Sequence, residues 1–307
     1  MDGLASPPRG AAAAANVIDG PDFMIIGAMK AATSTLHEQL AATPGFYMSR
    51  PKEPNFFSDD EMWSRGLDWY AALFAGALPG ALRGESSTHY TKLPTHPYTL
   101  TRLTTSVRTR RFVYVMRHPI DRLVSHYIHE WTQGVYTESI DQALERRPEL
   151  VDYGCYARQL APWLEGFGAS AILPVFFERL TAAPDEELAR IARFLGHTQP
   201  VSWQAQLAAQ NVSRERLRKS PLRDAIVASP FLTTLRRQFV PRGLRDRVKA
   251  LWQLRERPML SGPARAEAES TFDADLARLG AWLGVDLRCA NFRGATAPRA
   301  LEWRAAP

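Results

Sequence analysis

The sequence predicts an α/β fold in three layers, a central parallel sheet flanked by helices, with a helical C-terminal part. Three observations lead there. Short apolar runs at Phe23–Met29, Arg111–Arg117 and Ala171–Phe177 read as buried strands. Segments of helical spacing separate these runs, and strands alternating with helices argue a parallel sheet covered on both faces. After Asn211 the pattern turns helical, punctuated by prolines at 221, 230, 241, 258 and 263.

Residues 1–20 read as a disordered tail. They hold Arg9 and a run of five alanines, but no basic start followed by a long apolar stretch, so no secretory leader is expected. The first strand runs into Lys30 and feeds a helix from Thr33 through Leu36, Leu40 and Ala41, stopped before Pro44–Gly45. Phe46–Ser49 and Gly84–Thr88 read as further strands. The run at 111–117 leads into His118–Pro119, and proline suits the first turn of a helix. That helix carries Leu123, Val124, Tyr127, Ile128 and Trp131. Pro174 has no N–H to donate, which places its strand at an edge or a bulge. Helices are expected over about 155–167 and 185–195, and a long last one from Ala264 to Leu283 with Gly284 as its stop. No repeat or linker divides the chain, so 21–307 reads as one domain, its 211–307 part mostly helical and basic.

The 307 residues are 45% hydrophobic and 23% charged, enough to bury a core without staples. Collagen-like, coiled-coil and wholly disordered chains are thereby excluded. Cys155 and Cys289 form neither a disulfide framework nor a metal-ligand spacing, which fits a reducing compartment. No apolar run reaches the roughly 18 residues of a membrane-spanning helix. The net charge of +6 is unevenly spread: Asn211–Pro258 holds thirteen basic residues against four acidic ones. Such an excess suits a polyanion, a nucleotide or an acidic membrane surface, while solvated helix faces are the simpler reading for most of these arginines.

Two motifs carry chemistry. In GAMKAATSTL (Gly27–Leu36) small residues open a helix directly after a strand. The free N–H groups of a first helical turn, with the positive end of the dipole behind them, face an anion. Lys30 adds a point charge, and Thr33, Ser34 and Thr35 add hydroxyls. This is P-loop-like chemistry, but not the G-x-x-x-x-G-K-[ST] order, and no strand ends in an aspartate for Mg²⁺. A plain strand-to-helix turn with an exposed lysine is the simpler alternative. In VMRHPIDRLVSHY (Val115–Tyr127), Arg117 stands at a strand end and Ser125 lies eight residues on, so guanidinium and hydroxyl can converge on one phosphate.

Taken together, these motifs resemble those of the sulfotransferases that use 3′-phosphoadenosine 5′-phosphosulfate (PAPS). KAATSTL is similar to that family's K-x-G-T-T-x-L, and RHPIDRLVSHY to its R-[ND]-P-x-x-R-x-x-S-x-Y. The resemblance runs from about Phe23 to Gly196, with an echo near the C-terminus. It implies that Lys30, Ala31, Ala32, Thr33, Ser34 and Thr35 hold the 5′-phosphosulfate and that Arg117 and Ser125 hold the 3′-phosphate. Ala32 replaces the usual glycine; a methyl there needs a negative φ, so the loop is expected to follow a helical path. RPKEPNFFSDD (Arg50–Asp60) is similar to the K-E-x-x-F-F segment of the carbohydrate sulfotransferases, including the heparan sulfate type, which makes Glu53 the implied base. An ion pair with Lys52 or Arg50 is the simpler reading of that carboxylate, and Phe56 and Phe57 read as core. In GESSTHYTKLP (Gly84–Pro94), His89 is the rival base. Lys52, Glu85 and Ser86 would line the acceptor site. Tyr156 is implied near the nucleotide, and Arg255 and Arg257 in the late loop that meets the 3′-phosphate.

The implied function is transfer of the sulfuryl group from PAPS to a hydroxyl or amine of a carbohydrate or small-molecule acceptor, leaving 3′-phosphoadenosine 5′-phosphate (PAP). Lys30 would stabilise charge on the bridging oxygen as it leaves, and Glu53 would take the acceptor's proton. No metal, nucleic-acid partner or membrane segment is expected, and a cytoplasmic location is. Two alternatives stand beside it: a P-loop small-molecule kinase, and a non-catalytic polyanion-binding protein acting through 211–258.

Overall fold

The structure, a computed structural model, describes residues 17–207 and 257–304. Five strands form one parallel sheet: β1 (Phe23–Gly27), β2 (Phe46–Met48), β3 (Leu82–Ser86), β4 (Phe112–Met116) and β5 (Ile172–Phe176), in the order β2-β3-β1-β4-β5. Every residue of β1, β4 and β5 is buried, which is why these segments are apolar without alternation. Ile25, Ser86 and Val113 are register partners on one face, where His37 of α1 (Thr33–Ala41) bonds Ser86 Oγ at 2.9 Å. Met24, Glu85 and Phe112 share the other face. There α8 (Tyr156–Phe167) packs the rings of Trp163 and Phe167 on Phe112, with centroids 5.1 and 4.6 Å away.

Between these elements lie α2 (Asp60–Ser64), α3 (Gly66–Ala72), α4 (Thr99–Ser106), α5 (Pro119–Gln133), α6 (Ile140–Arg146) and α7 (Glu149–Asp152). After β5 follow α9 (Phe177–Ala182), α10 (Pro184–Leu195), α11 (Gly262–Leu283) and α12 (Phe292–Thr296). Helix α11 starts at a Ser261 cap and stops at Gly284, whose φ of 67° is the left-handed conformation that glycine adopts without strain. Its buried Asp275 accepts from the Ala157 and Arg158 amides at 2.8 and 3.0 Å, capping α8. Strand β3 lies two residues earlier than expected, because the chain turns at Thr88 into a 3₁₀ turn over Thr88–Thr91. Pro174 sits on an edge strand, as its missing donor requires, and the Trp303 indole covers that edge by donating to Ile172 O at 2.6 Å. Ile18 bridges Val107, while residues 1–16 and the basic stretch 208–256 lie outside the described residues.

This connectivity makes a site. From β1 the chain leaves through α1 toward β2, and from β4 it leaves through α5 on the way to β5 on the opposite side. The carboxyl ends of β1 and β4 therefore border the crevice where open α/β sheets take ligands.

Candidate active site

The loop after β1 is tied to β4 by the Ala28 amide, which donates to Val115 O at 2.7 Å. Gly27 is required there for space: a Cβ would lie 2.2 Å from Thr91 Oγ1. The first helical bond of α1 runs from Leu36 N to Ala32 O, at 3.1 Å. The amides of Thr33, Ser34 and Thr35 thus precede the intrahelical ladder and face the crevice end of the dipole. Ala31 and Thr33 are buried, Ser34 is exposed and Thr35 is half-buried.

The expected helical path of this loop is not what forms. Ala32 has φ 70° and ψ 21°, and Lys30 has φ 66°, both left-handed. The chain has to reverse between the end of β1 and the start of α1, and Ala32 turns it with a conformation better suited to glycine. For an L-residue this costs about 1–2 kcal/mol, against which glycine's looser unfolded chain returns about 0.4–1 kcal/mol. Ala32→Gly should therefore raise stability by about 0.5–1 kcal/mol, or roughly 2 °C in Tm, measured by thermal unfolding. A lower Tm would remove the strain argument.

At the end of β4, Arg117 is half-buried, its guanidinium 4.6 Å from the Phe177 ring centroid, and its Nη1 donates to Lys30 O at 3.4 Å. Its Nε is buried and has no hydrogen-bond partner among the described residues. Ser125 is half-buried on α5, which starts just after Arg117. Arg257 reaches the same place by pairing with Asp121 of α5 at 2.8 Å. Arg255 lies outside the described residues. Tyr156 is fully buried, and its hydroxyl donates to Arg117 O at 2.5 Å; that bond holds the arginine's backbone and gives the phenol no open path to a nucleotide.

The third group gathers at the end of β3. Glu53 is left-handed at φ 58°, its amide donates to Ser86 O at 2.9 Å, and its Oε1 accepts from Lys52 Nζ at 2.5 Å. Thr88 Oγ1 lies 3.5 Å from Oε2. Burial pushes this carboxyl up, but Lys52, Lys92 and His89 outweigh it and hold it below the ordinary glutamate value. The ion pair with Lys52 and a place in the crevice thus coexist. His89 is half-buried and stacks on His96 with centroids 4.7 Å apart; burial and then Lys92 bring its pKa down to about 4, so it is neutral at pH 7. Phe56 and Phe57 are core: Phe56 stacks on Tyr70, and Phe57 meets Tyr70 edge-on and Tyr90 at a tilt.

Glu85 and Ser86 do not line this corner. Ser86 Oγ is bonded to His37 under α1, and Glu85 is fully buried on the opposite face, where burial raises it to about 7 beside Tyr70 and Tyr90. A sheet covered on both faces leaves neither an outlet. Two charged groups that sequence reasoning missed act electrostatically on this corner instead. Lys92 is buried, its ammonium 5.5 Å from the Tyr153 ring centroid, and burial lowers it to about 8. Its charge acts on both Glu53 and Glu130 of α5, and Glu130 also feels Lys30. The lysine just past His89 was the signal for Lys92; Glu130 had none. Among the described residues no three His, Cys, Asp or Glu are grouped to hold a metal ion, and no helix is long and apolar enough to cross a membrane.

With this geometry in view, residues 20–245 match the family model of the sulfotransferase domain, and the chain belongs to that family. Mouse heparan sulfate glucosamine 3-O-sulfotransferase 3A1 is 29% identical over 219 residues, 63% of this chain and 54% of that protein. The chain thus spans about half the length of the curated relatives it matches. A crystallised sulfotransferase from Alicyclobacillus acidocaldarius superposes with a TM-score of 0.61 at 24% identity, covering 88% of this chain and 98% of that one. Mouse sulfotransferase SULT7A1, solved in complex with PAP, gives 0.50 at 16% identity over 85% of each chain. These two likenesses concern the fold.

Proposed function

We propose that the protein transfers the sulfuryl group of PAPS to a hydroxyl, or an amine, of a carbohydrate or small-molecule acceptor. The observation that carries this reading is the Arg117–Lys30 contact at 3.4 Å, which joins two anion-binding motifs 87 residues apart in one crevice. The name of the 3A1 relative supports a carbohydrate hydroxyl as acceptor. The α1 amides receive the 5′-phosphosulfate, and Arg117, Ser125 and Arg257 the 3′-phosphate. The acceptor oxygen attacks sulfur in line, the bond from sulfur to the 5′-phosphate oxygen breaks, and Glu53 takes the acceptor's proton. Lys30 neutralises the charge that grows on the departing oxygen, and PAP leaves. Positioning and preset electrostatics supply most of the rate, as in phosphoryl transfer.

Calorimetric titration with PAP, adenosine 5′-phosphate and ATP–Mg²⁺ tests the donor site. PAP should bind roughly 10- to 100-fold tighter than adenosine 5′-phosphate, the value of about 1.5–3 kcal/mol for hydrogen bonds to a charged group. Arg117→Ala should remove most of that preference. Binding of ATP–Mg²⁺ without PAP would favour the kinase, and no nucleotide binding would favour the polyanion reading. Transfer of labelled sulfate to a panel of glycans and small hydroxylated compounds then identifies the acceptor.

A further inference from the structure

We propose that α12 completes the nucleotide site, with Arg293 as a positioning residue for the Arg117 clamp. This rests on the 3′-phosphate reading above. The segment lies beyond the 20–245 span matched by the family model, and nothing in the two motifs points to it. It nevertheless returns to the carboxyl end of β4. His118 Nε2 bonds Cys289 O at 2.9 Å, and the Phe292 ring packs 5.7 Å from His118 and 5.8 Å from Phe176. Arg293 pairs with Asp121.

Asp121 gives that last contact its meaning. It lies in the first turn of α5, four residues after Arg117, and their charges act on each other. Left alone, this carboxylate would quench Arg117 and repel an incoming phosphate. In the structure one of its oxygens is held by Arg257 at 2.8 Å and the other by Arg293. Burial pushes the carboxyl up, but the two guanidiniums outweigh burial and hold it below the ordinary aspartate value. Arg117, Arg257 and Arg293 outnumber Asp121 and the buried Glu178 that also acts on Arg117, and leave the entrance positive, where Arg117 and Asp121 by themselves would cancel. Arg293 therefore acts through Asp121: it keeps that carboxylate engaged so that Arg117 stays available.

The test compares PAP with adenosine 5′-phosphate by calorimetry on the unaltered protein and on Arg293→Ala, Arg293→Lys and Trp303→Phe. Arg293→Ala should cut the preference for PAP about 3- to 10-fold, the range of a partly exposed charge contact, and leave adenosine 5′-phosphate binding unchanged. The loss should shrink at high salt, because Arg293 is largely exposed. Arg293→Lys should restore most of the preference. Trp303→Phe, which removes the bond to Ile172 at the β5 edge, should lower Tm and leave the preference intact. An unchanged preference in Arg293→Ala, or an equal weakening of both ligands, overturns the proposal. If the unaltered protein shows no preference for PAP, the 3′-phosphate reading itself fails, and that outcome is distinct because it needs no variant.

Discussion

Glu53→Gln should lower kcat by about 10²- to 10⁴-fold, the usual contribution of a general base, while PAP binds as before. Glutamine keeps the shape of the side chain and can still accept from Thr88, but it can neither pair with Lys52 nor take a proton. His89→Ala is the matched comparison, since His89 occupies the same corner and is neutral at pH 7. An active Glu53→Gln beside an inactive His89→Ala would transfer the role of base to the histidine. The pH profile has a definite sign. The proposed base Glu53 has to be deprotonated to act, and Lys52 and Lys92 hold its pKa below the ordinary value despite burial. The rate should therefore stay level as pH falls from 7 to 5 and decline only below the ordinary glutamate range, as protonation removes the base. An acid limb near pH 6 would contradict the arrangement around Glu53.

Lys30→Ala should lower kcat by about 10²- to 10³-fold, comparable to losing one donor to a developing oxyanion, with a small change in PAP affinity. The substitution is clean for the backbone. Lys30 already has φ 66°, and alanine keeps the Cβ, so the strain of the loop is unchanged. Arg117 donates to the Lys30 carbonyl, which the substitution leaves in place, so the link between the two motifs survives. Separate measurement of kcat and KM decides the role: a raised KM at unchanged kcat would make Lys30 a ground-state binder.

The elements that frame the crevice were legible because their signals are local. Phe23–Gly27 and Phe112–Met116 are unbroken apolar runs, and Thr33–Ala41 and Pro119–Gln133 follow with helical spacing and a proline at the right turn. Pro174 announced its edge position through the donor it lacks. What the sequence did not show is how the chain places neighbouring residues in space. Glu85 and Ser86 follow one another in a strand, so they point to opposite faces, and both faces are covered. Tyr156 begins α8 close to the crevice, yet its hydroxyl is committed to Arg117 O. The methyl of Ala32 argued for a negative φ, and the reversal ahead of α1 overrode it.

By itself the sequence determined the order of the five strands and of the helices that frame the crevice, the family to which the chain belongs, and the two motifs proposed to bind anions, because each of these is written in contiguous residues whose type sets local backbone and chemistry. Only the tertiary structure decided which charges meet. Crossover connections bring Lys92 to both Glu53 and Glu130, and Arg257 and Arg293 to Asp121, from elements without fixed spacing in the chain. How strongly Glu53 holds a proton and how freely Arg117 meets a phosphate depend on those neighbours and on burial, and both are properties of the packed molecule.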